Sequence, residues 1–289
     1  MNLRDLQYLV AVADARHFGR AAEASHVSQP TLSMQLKKLE ESLGVRLFER
    51  THKQVMVTGV GEEIVRRART ILRETEGLRE AARAAQNPLA GELRLGAFPT
   101  LAPYFLPLAV PKLRKRLPKL KLLLTEEKTD RLLAMLKEGA LDAALLALPI
   151  EEEGLETAEL LDDPFLLAVP AGHALAKRKQ VTRRDIAGMP LLLLEEGHCL
   201  RRQALEFCSF AGTGERTDFR ATSLETLRQM VAAGVGVTLM PKLAALKGDG
   251  VAYIPFAPPA PLRTIGLVWR KSTARAEMLA AVRAALAAA

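Results

Sequence analysis

Two cysteines, Cys199 and Cys208, are the only thiols of this 289-residue chain, and they lie nine positions apart. A thiolate can be oxidised to a sulfenic acid, which a second thiol condenses into a disulfide. Between them, the apolar side chains of Leu200, Ala204 and Phe207 recur at a spacing that predicts a helix. Nine helical steps separate the cysteines by about 13 Å and turn them to opposite sides. Because a disulfide needs Cα atoms within about 7 Å, the pair can bond only if the helix breaks.

The sequence around Cys199 favours its ionised form. At the first position of the predicted helix the thiol faces the positive end of the helix dipole, which lowers a cysteine pKa. Arg201 and Arg202 add positive charge, and His198 adds a hydrogen-bond donor. The alternative is that both cysteines are inert, because free cysteine commonly packs as a small buried hydrophobe. The nine-residue spacing, with His198 as the neighbouring ligand candidate, argues against a zinc site.

Two threonines are candidates to assist thiol chemistry. Thr100 and Thr129 follow predicted strands, and ligands of α/β proteins sit beyond the carboxyl ends of strands. Their hydroxyls could hold a bound peroxide and polarise its leaving oxygen. Ordinary helix capping is the alternative, and spacing alone favours it.

The composition indicates a folded cytoplasmic protein. Hydrophobic residues make up 49% of the chain, and it contains no run of about 18 apolar residues. Its first residues begin a helical pattern without an apolar signal-peptide region, so we expect no export signal. Two cysteines without a disulfide framework indicate a reducing compartment, and we expect no membrane partner, metal or cofactor. The net charge of +8 admits an acidic partner such as DNA. Residues 1–58 hold eight basic and six acidic side chains, a net of only +2, so charge alone does not identify a DNA-binding protein.

Residues 1–60 predict a winged helix-turn-helix domain. A first helix capped by Asn2, a short second helix and a third helix capped by Ser28 precede a predicted β-hairpin wing. Polar side chains cover the start of the third helix, the end that enters the major groove in such domains. These candidate base-reading residues are Gln29, Pro30, Thr31, Ser33, Gln35 and Lys37. Arg50 and Lys53 near the wing tip suit phosphate contacts. A helical subdomain without DNA binding is the alternative.

The same segment resembles the winged helix-turn-helix of LysR-type transcriptional regulators. The resemblance is carried by Ala21-Ala22, the sequence Val-Ser-Gln-Pro-Thr-Leu-Ser at 27–33, Leu39-Glu40, Gly44, Leu-Phe-Glu-Arg at 47–50, Thr58 and Gly61. It implies a regulator of transcription rather than an enzyme. The partners that it implies are double-stranded DNA, RNA polymerase and further copies of the chain in a dimer or tetramer.

Residues 61–86 predict a long linker helix that dimerises. They contain no proline, and small or apolar residues recur at alternating spacings of four and three, as in a coiled-coil seam. The seam positions are Ile64, Ala68, Ile71, Thr75, Leu78 and Ala82. Packing of this face on the chain's own domain is the alternative, and the family resemblance favours the dimer. Residues 87–91 end the helix and form a hinge.

Residues 92–289 alternate predicted strands and helices, which indicates the α/β class with mainly parallel sheets. Predicted strands lie at 93–98, 120–125, 142–148, 164–170, 191–194, 235–240 and 265–270. Thr222 and Glu225 predict a capping box for a helix at 224–233. The resemblance implies a regulatory domain of two subdomains, arranged as in periplasmic binding proteins, with chain crossings near residues 162 and 266.

Within this family the chain resembles the peroxide-sensing members most closely. The resemblance rests on Pro99-Thr100, residues 197–201, Cys208, residues 219–227 and residues 263–268. It implies that Cys199 is the peroxidatic cysteine and Cys208 the resolving one. A reversible disulfide would then sense hydrogen peroxide, change the oligomer's DNA contacts and activate oxidative-stress genes, with a reductant such as glutaredoxin as a further partner. The implied peroxide pocket contains Thr100, Thr129, His198 and Arg263.

Two alternative functions stay open on the sequence. A LysR-type regulator that binds a small organic effector, with incidental cysteines, would be indifferent to peroxide. A thiol peroxidase would turn over with an external thiol reductant, but it needs no helix-turn-helix. Two positions depart from the peroxide-sensing pattern. Asp218 stands where some members carry histidine, and Arg202 is basic where an acid is common.

Overall fold

The computed structural model describes residues 1–50, 55–189, 191–209, 215–246 and 248–287. The chain divides into two compact units, Met1–Gln86 and Asn87–Ala289. The first unit contains helices α1 (Leu3–Ala15), α2 (Phe18–Ala24), α3 (Gln29–Leu43) and α4 (Gly59–Gln86), and strands β1 (Phe48–Arg50) and β2 (Val55–Val57). Among the described residues, every helix is too short or too polar to cross a bilayer.

Local sequence signals set the limits of the first helices. The Asn2 side chain accepts hydrogen bonds from the backbone N–H groups of Arg4 and Asp5, and the Asp5 carboxylate accepts one from the Asn2 N–H. This reciprocal capping box starts α1 as predicted. Ser28 caps α3, and Gly44 ends it in the left-handed conformation at φ +69°.

The first three helices enclose an apolar core on which the wing packs. Leu9, Leu32 and Leu36 are fully buried in it. Phe48 of the wing meets Phe18 edge to face, with ring centroids 6.0 Å apart. Strands β1 and β2 pair antiparallel, which confirms the predicted wing. Lys53 at its tip lies outside the described residues, and so does the side chain of Arg50.

The predicted seam of α4 is buried in the chain's own core at its start and exposed farther along the helix. Ala68 is buried in the core of its own unit, and Ile64 packs against that core. Farther along, Ile71, Leu78 and Ala82 are exposed. The chain's own core therefore covers the first turns of this face, as the alternative predicted, and the dimer seam stays a prediction for the exposed positions.

The second unit is a mixed α/β structure. Its helices are α5 (Ala102–Arg116), α6 (Thr129–Lys137), α7 (Cys199–Ser209), α8 (Leu224–Ala232) and α9 (Ala276–Leu286). Its strands are β3 (Gly91–Ala97), β4 (Leu120–Glu126), β5 (Ala143–Ala147), β6 (Leu155–Pro170), β7 (Leu191–Leu194), β8 (Glu215–Ala221), β9 (Thr238–Pro241), β10 (Val251–Pro255) and β11 (Leu262–Arg270). Seven strands form one sheet in the order β10-β6-β11-β5-β3-β4, with β9 also on β6, and β7 pairs with β8.

The expectation of mainly parallel sheets was wrong. Strand β3 is parallel to β4 and β5, and β7 is parallel to β8. Strand β11 runs antiparallel to β5 and β6, and β6 runs antiparallel to β9 and β10. The reason is that β6 and β11 are long strands that lie side by side and run in opposite directions, with Asp163 opposite Arg263.

The capping residue of α8 also differs from the prediction. Ser223, not Thr222, is the N-cap, and its hydroxyl accepts the backbone N–H of Thr226 at 3.1 Å. The predicted partner Glu225 instead forms an ion pair with Arg228.

Separate apolar cores divide the second unit into two lobes. The first lobe takes its core from residues 93–155 and 265–286, and the second lobe from residues 165–256. Helix α7 packs on the second lobe through Leu200, Ala204 and Phe207. The side chain of Cys199, at the start of that helix, belongs to the core of the first lobe. The thiol therefore lies at the boundary between the lobes.

Candidate functional site

A tight turn after β7 places Cys199 inside the protein. Gly197 has φ +88°, and a Cβ there would lie 3.1 Å from Cδ of Lys128. The left-handed conformation favours glycine at this position, and a Cβ would also require the Lys128 side chain to shift by a few tenths of an ångström. The turn buries His198 and Cys199, which are 7% and 9% exposed.

The Cys199 thiol is free and buried. Burial raises its pKa, while the charge of Arg263 and the hydroxyl of Thr129 act in the opposite direction. Smaller lowering effects come from the Leu200 N–H and Arg202. The expected lowering at the helix N-terminus was therefore wrong in its net sign, because the surrounding core removes the water that stabilises a thiolate. The resting group at neutral pH is the thiol.

Arg263 is the centre of a buried hydrogen-bond network. Its Nε and Nη2 donate to Oδ2 of Asp163 at 3.0 and 2.8 Å, and the Leu243 N–H donates to the other carboxylate oxygen at 3.0 Å. Its Nη1 donates to the Thr100 hydroxyl at 2.9 Å, and Nη2 donates to the Thr100 carbonyl at 3.0 Å. The guanidinium also lies 5.3 Å from the ring centroid of Phe98. Thr100 is thereby held in a fixed orientation with 1% exposure.

Three residues close to Cys199, in space or along the chain, carry buried polar atoms without an ordinary hydrogen bond. Among the described residues, Thr129 Oγ1, His198 Nε2 and Gln203 Oε1 have no partner of ordinary geometry. The Thr129 hydroxyl still lies near enough to lower the pKa of Cys199. Gln203 was missed from the sequence, although its position one helical turn after Cys199 was a usable signal. An unpaired buried polar atom costs about 1–3 kcal/mol, which suits a site that receives a polar group.

His198 is neutral at physiological pH. Burial lowers its pKa, the charge of Lys128 lowers it further, and Glu195 raises it by a smaller amount. The imidazole therefore has one protonated and one unprotonated nitrogen available for hydrogen bonding.

A cavity of about 470 Å³ opens beside these residues. Thr100 and His198 line it, together with Tyr104, Lys128 and Glu225. Cys199, Thr129 and Arg263 are not part of the lining, so the thiol lies behind the cavity wall. Burial and the charge of Glu225 raise the pKa of Tyr104. In the described part of the chain, no cluster of three or more His, Cys, Asp or Glu side chains could hold a metal.

An ion pair missed by sequence reasoning spans the lobes next to this site. Lys128, just before α6 in the first lobe, donates from Nζ to the Glu195 carboxylate at 2.5 Å and to the Glu196 carbonyl at 3.2 Å. Lys128 lowers the pKa of Glu195. No sequence pattern pointed to this contact, because its partners are 67 residues apart.

The second cysteine lies in the same continuous helix as the first. α7 runs from Cys199 to Ser209, which confirms the predicted helix and places Cys208 in its last turn. The Cα positions are about 13 Å apart along the axis, so a disulfide requires the helix to unwind. The side chain of Cys208 lies outside the described residues.

The recognition helix α3 presents most of the predicted DNA-reading residues at the surface. Gln29, Pro30, Thr31 and Lys37 are exposed, and Ser33 and Gln35 are half-buried. The Thr31 hydroxyl lies 2.7 Å from the Ser28 hydroxyl, so it also serves the helix cap. Met34, which is 50% exposed, shares this surface and was not predicted.

Two family models match the chain and together cover most of it. Residues 3–62 match the bacterial regulatory helix-turn-helix protein, lysR family, and residues 86–289 match the LysR substrate binding domain. The predicted combination of a winged helix-turn-helix and an α/β regulatory domain is confirmed. The family consists of transcriptional regulators, which sets aside the thiol peroxidase alternative.

Individual relatives agree with this result. The chain is 52% identical over 291 residues to the DNA-binding transcriptional dual regulator OxyR of Escherichia coli K12, covering 98% of this chain and 95% of that protein. A full-length OxyR variant from Pseudomonas aeruginosa is 39% identical with a TM-score of 0.81, over 99% of this chain and 98% of that one. An H2O2-bound Cys-to-Ser variant of Corynebacterium glutamicum OxyR is 35% identical with a TM-score of 0.68, over 99% and 92%.

Proposed function

The chain belongs to the LysR family of bacterial transcriptional regulators, and from this premise we propose that it senses hydrogen peroxide through a reversible Cys199–Cys208 disulfide. The observation that carries the proposal is the buried Cys199 thiol together with the buried polar atoms of Thr129 and of the adjacent His198, which have no partner of ordinary geometry among the described residues. The similarity to OxyR proteins, one of them bound to H2O2, supports the same conclusion.

The chemistry balances as a two-electron transfer. The Cys199 thiolate attacks one peroxide oxygen, the O–O bond breaks, and the leaving hydroxide takes a proton to become water. The Cys208 thiolate then attacks the sulfenic sulfur, so that an S–S bond forms, the S–O bond breaks and a second water leaves. A dithiol reductant such as glutaredoxin returns the two electrons. Because resetting needs such a reductant, we place the switch in the cytoplasm.

We assign separate roles to the pocket residues. Arg263 and Thr129 lower the pKa of Cys199 and thereby raise its thiolate fraction, whereas burial acts in the opposite direction. Thr100, oriented by Arg263, and neutral His198 line the cavity and hold the peroxide. Hydrogen bonds from these groups to the leaving oxygen lower the barrier to O–O cleavage.

Disulfide closure has a packing cost that makes the switch reversible. The helix must unwind, which removes Leu200 and Phe207 from cores where they are 3% and 7% exposed. Exposing each large apolar side chain costs about 1.5–3 kcal/mol. A bond that carries this cost is more easily reduced than an unstrained structural disulfide.

The DNA-binding unit supplies the output. We propose that Gln29, Pro30, Thr31, Ser33, Gln35 and Lys37 on α3 contact DNA, with Arg50 and Lys53 on the phosphates. The exposed positions Ile71, Leu78 and Ala82 of α4 form the dimer contact, and two dimers form the tetramer. Oxidation shifts the contacts between regulatory domains, changes the spacing of the DNA-reading heads and activates oxidative-stress genes through RNA polymerase.

Counting free thiols before and after one equivalent of hydrogen peroxide, together with a DNA footprint, tests the proposal. The parent protein should lose two thiols and change its footprint. Cys199→Ser should keep its DNA binding and show no response, while Cys208→Ser should stop at a sulfenic acid that dimedone traps. A Cys199→Ser protein that still changes its footprint with peroxide contradicts the mechanism.

A small organic effector is the second candidate signal. The cavity of about 470 Å³ lies within the range of about 300–1,000 Å³ typical of small-molecule sites, far more than peroxide needs. This alternative predicts that a metabolite changes the footprint of the Cys199→Ser protein and that peroxide leaves the parent footprint unchanged.

A further inference from the structure

An ion pair attaches the turn before Cys199 to the opposite lobe. The Glu195 backbone belongs to the second lobe, because its N–H donates to the Ala221 carbonyl at 2.8 Å beside the β7–β8 pair. Its side chain crosses to Lys128 of the first lobe, whose Nζ also bonds the Glu196 carbonyl. The stem of Lys128 packs over Gly197, so a single side chain contacts three consecutive residues of this turn.

The turn that Lys128 holds is the segment that disulfide closure must move. Cys199 follows directly, its sulfur lies in the first lobe's core, and the rest of α7 packs on the second lobe. Bringing Cys199 to Cys208 requires the sulfur to leave that core and the first helical turn to open. Every contact that keeps residues 195–197 against the first lobe opposes this movement.

We propose that Lys128 is a positioning residue that holds Cys199 in its peroxide-reactive place and, for the same reason, restrains disulfide closure. The inference rests on the proposed function. Lys128 acts in opposite directions on the two steps of that mechanism, which are sulfenic acid formation and disulfide closure. Loss of the ammonium loosens the 195–199 segment. Sulfenic acid formation, which needs the assembled pocket, becomes slower, and the attack of Cys208, which needs an opened helix, becomes faster.

The size of the effect follows from the exposure of the pair. The side chains of Lys128 and Glu195 are 41% and 37% exposed, so water and salt weaken their attraction. Ion pairs of this kind correspond to about a two- to fivefold change in an equilibrium or rate. Raising the ionic strength should therefore reproduce part of the loss in the parent protein and have little effect in a variant without the pair.

Rapid-quench kinetics of Lys128→Met separates the two steps. In a Cys208→Ser background, dimedone trapping measures sulfenic acid formation, which should fall about two- to fivefold. In the full-length protein with both cysteines, the disulfide rate at saturating peroxide measures closure, which should rise by a similar factor. Glu195→Gln should act in the same directions, and the double variant should add little to either single change, as expected for one shared interaction.

Lys137→Met is the matched control. Lys137 forms a 2.5 Å ion pair with Glu152, their side chains are 49% and 37% exposed, and both residues lie in the first lobe. This variant should leave both rates unchanged. Equal rates in Lys128→Met and parent, or a shift of both steps in one direction, overturn the inference. A parent protein that forms no disulfide with peroxide overturns the proposed function itself, so the two failures are distinguishable.

Discussion

Removing the Arg263 guanidinium should destabilise the regulatory unit through the carboxylate that it leaves behind. Asp163 is 1% exposed, and two of its hydrogen bonds come from Arg263. In Arg263→Met, the Leu243 N–H is the remaining donor to Asp163 within the described residues. Breaking a buried ion pair by removing one partner costs about 3–5 kcal/mol. Each kcal/mol lowers the Tm of a unit of this size by about 2–4 °C, so we expect a fall of about 6–20 °C.

A second substitution tests whether the uncompensated charge causes this loss. Asp163→Asn, added to Arg263→Met, removes the charge and keeps an oxygen that can accept the Leu243 N–H. The double variant should therefore recover more than half of the lost Tm.

Calorimetry of the full-length chain at neutral pH measures both the loss and the recovery. The parent and the double variant provide the references for Arg263→Met. Arg263→Met and the double variant unfolding at the same Tm would refute the reasoning. Arg263 would then stabilise the protein through its contacts with Phe98 and Thr100, and not as the counter-charge of Asp163.

Three further outcomes follow from the described contacts. The rate of Cys199 oxidation by peroxide should rise about tenfold per pH unit from pH 6 to 8, because burial raises the thiol pKa, and a flat stopped-flow profile contradicts this. Gly197→Ala should lower the urea midpoint more than Gly188→Ala. Both glycines have positive φ, but an added Cβ at Gly197 would also meet the Lys128 side chain, whereas an added Cβ at Gly188 would enter open space. Equal urea midpoints of the two variants would exclude an effect of the Lys128 contact. Leu78→Lys should weaken dimerisation, since this side chain is 75% exposed on α4, and an unchanged sedimentation coefficient at low concentration contradicts that role.

Strongly periodic segments of the fold were predictable from the sequence. The capping box at Asn2 and the apolar spacing of α7 each mark an element that the structure contains. The first half of β6 was missed because acidic residues at 156, 159, 162 and 163 interrupt its apolar pattern. Those acids are compatible with the strand, because Asp163 finds its counter-charge on the neighbouring strand. Such pairing between distant strands leaves no local signal.

The site shows the same division between local and distant information. Cys199 and His198 stand out through residue type and position at a helix start. The Asp163–Arg263 pair joins residues 100 positions apart, and the Lys128–Glu195 pair joins residues 67 apart. The direction of the Cys199 pKa was also beyond the sequence. A helix N-terminus lowers a thiol pKa and burial raises it, and only the packing of the first lobe decides which effect is larger.

Under the proposed function, the burial of the thiol and the buried polar atoms near it together set the relative free energies of the reduced and oxidised states. In the reduced state, Thr129 Oγ1 and His198 Nε2 are buried without a partner of ordinary geometry among the described residues, which raises the free energy of that state. An oxygen added to Cys199 is a polar atom in an apolar core, and without hydrogen bonds it would be strongly unfavourable there. Thr129 and His198 can donate to or accept from that oxygen, so oxidation satisfies groups that reduction leaves unpaired. The pocket thus lowers the cost of the sulfenic acid, while the packed helix delays its conversion to the disulfide. The order of the two steps follows from which groups are already in place and which must move.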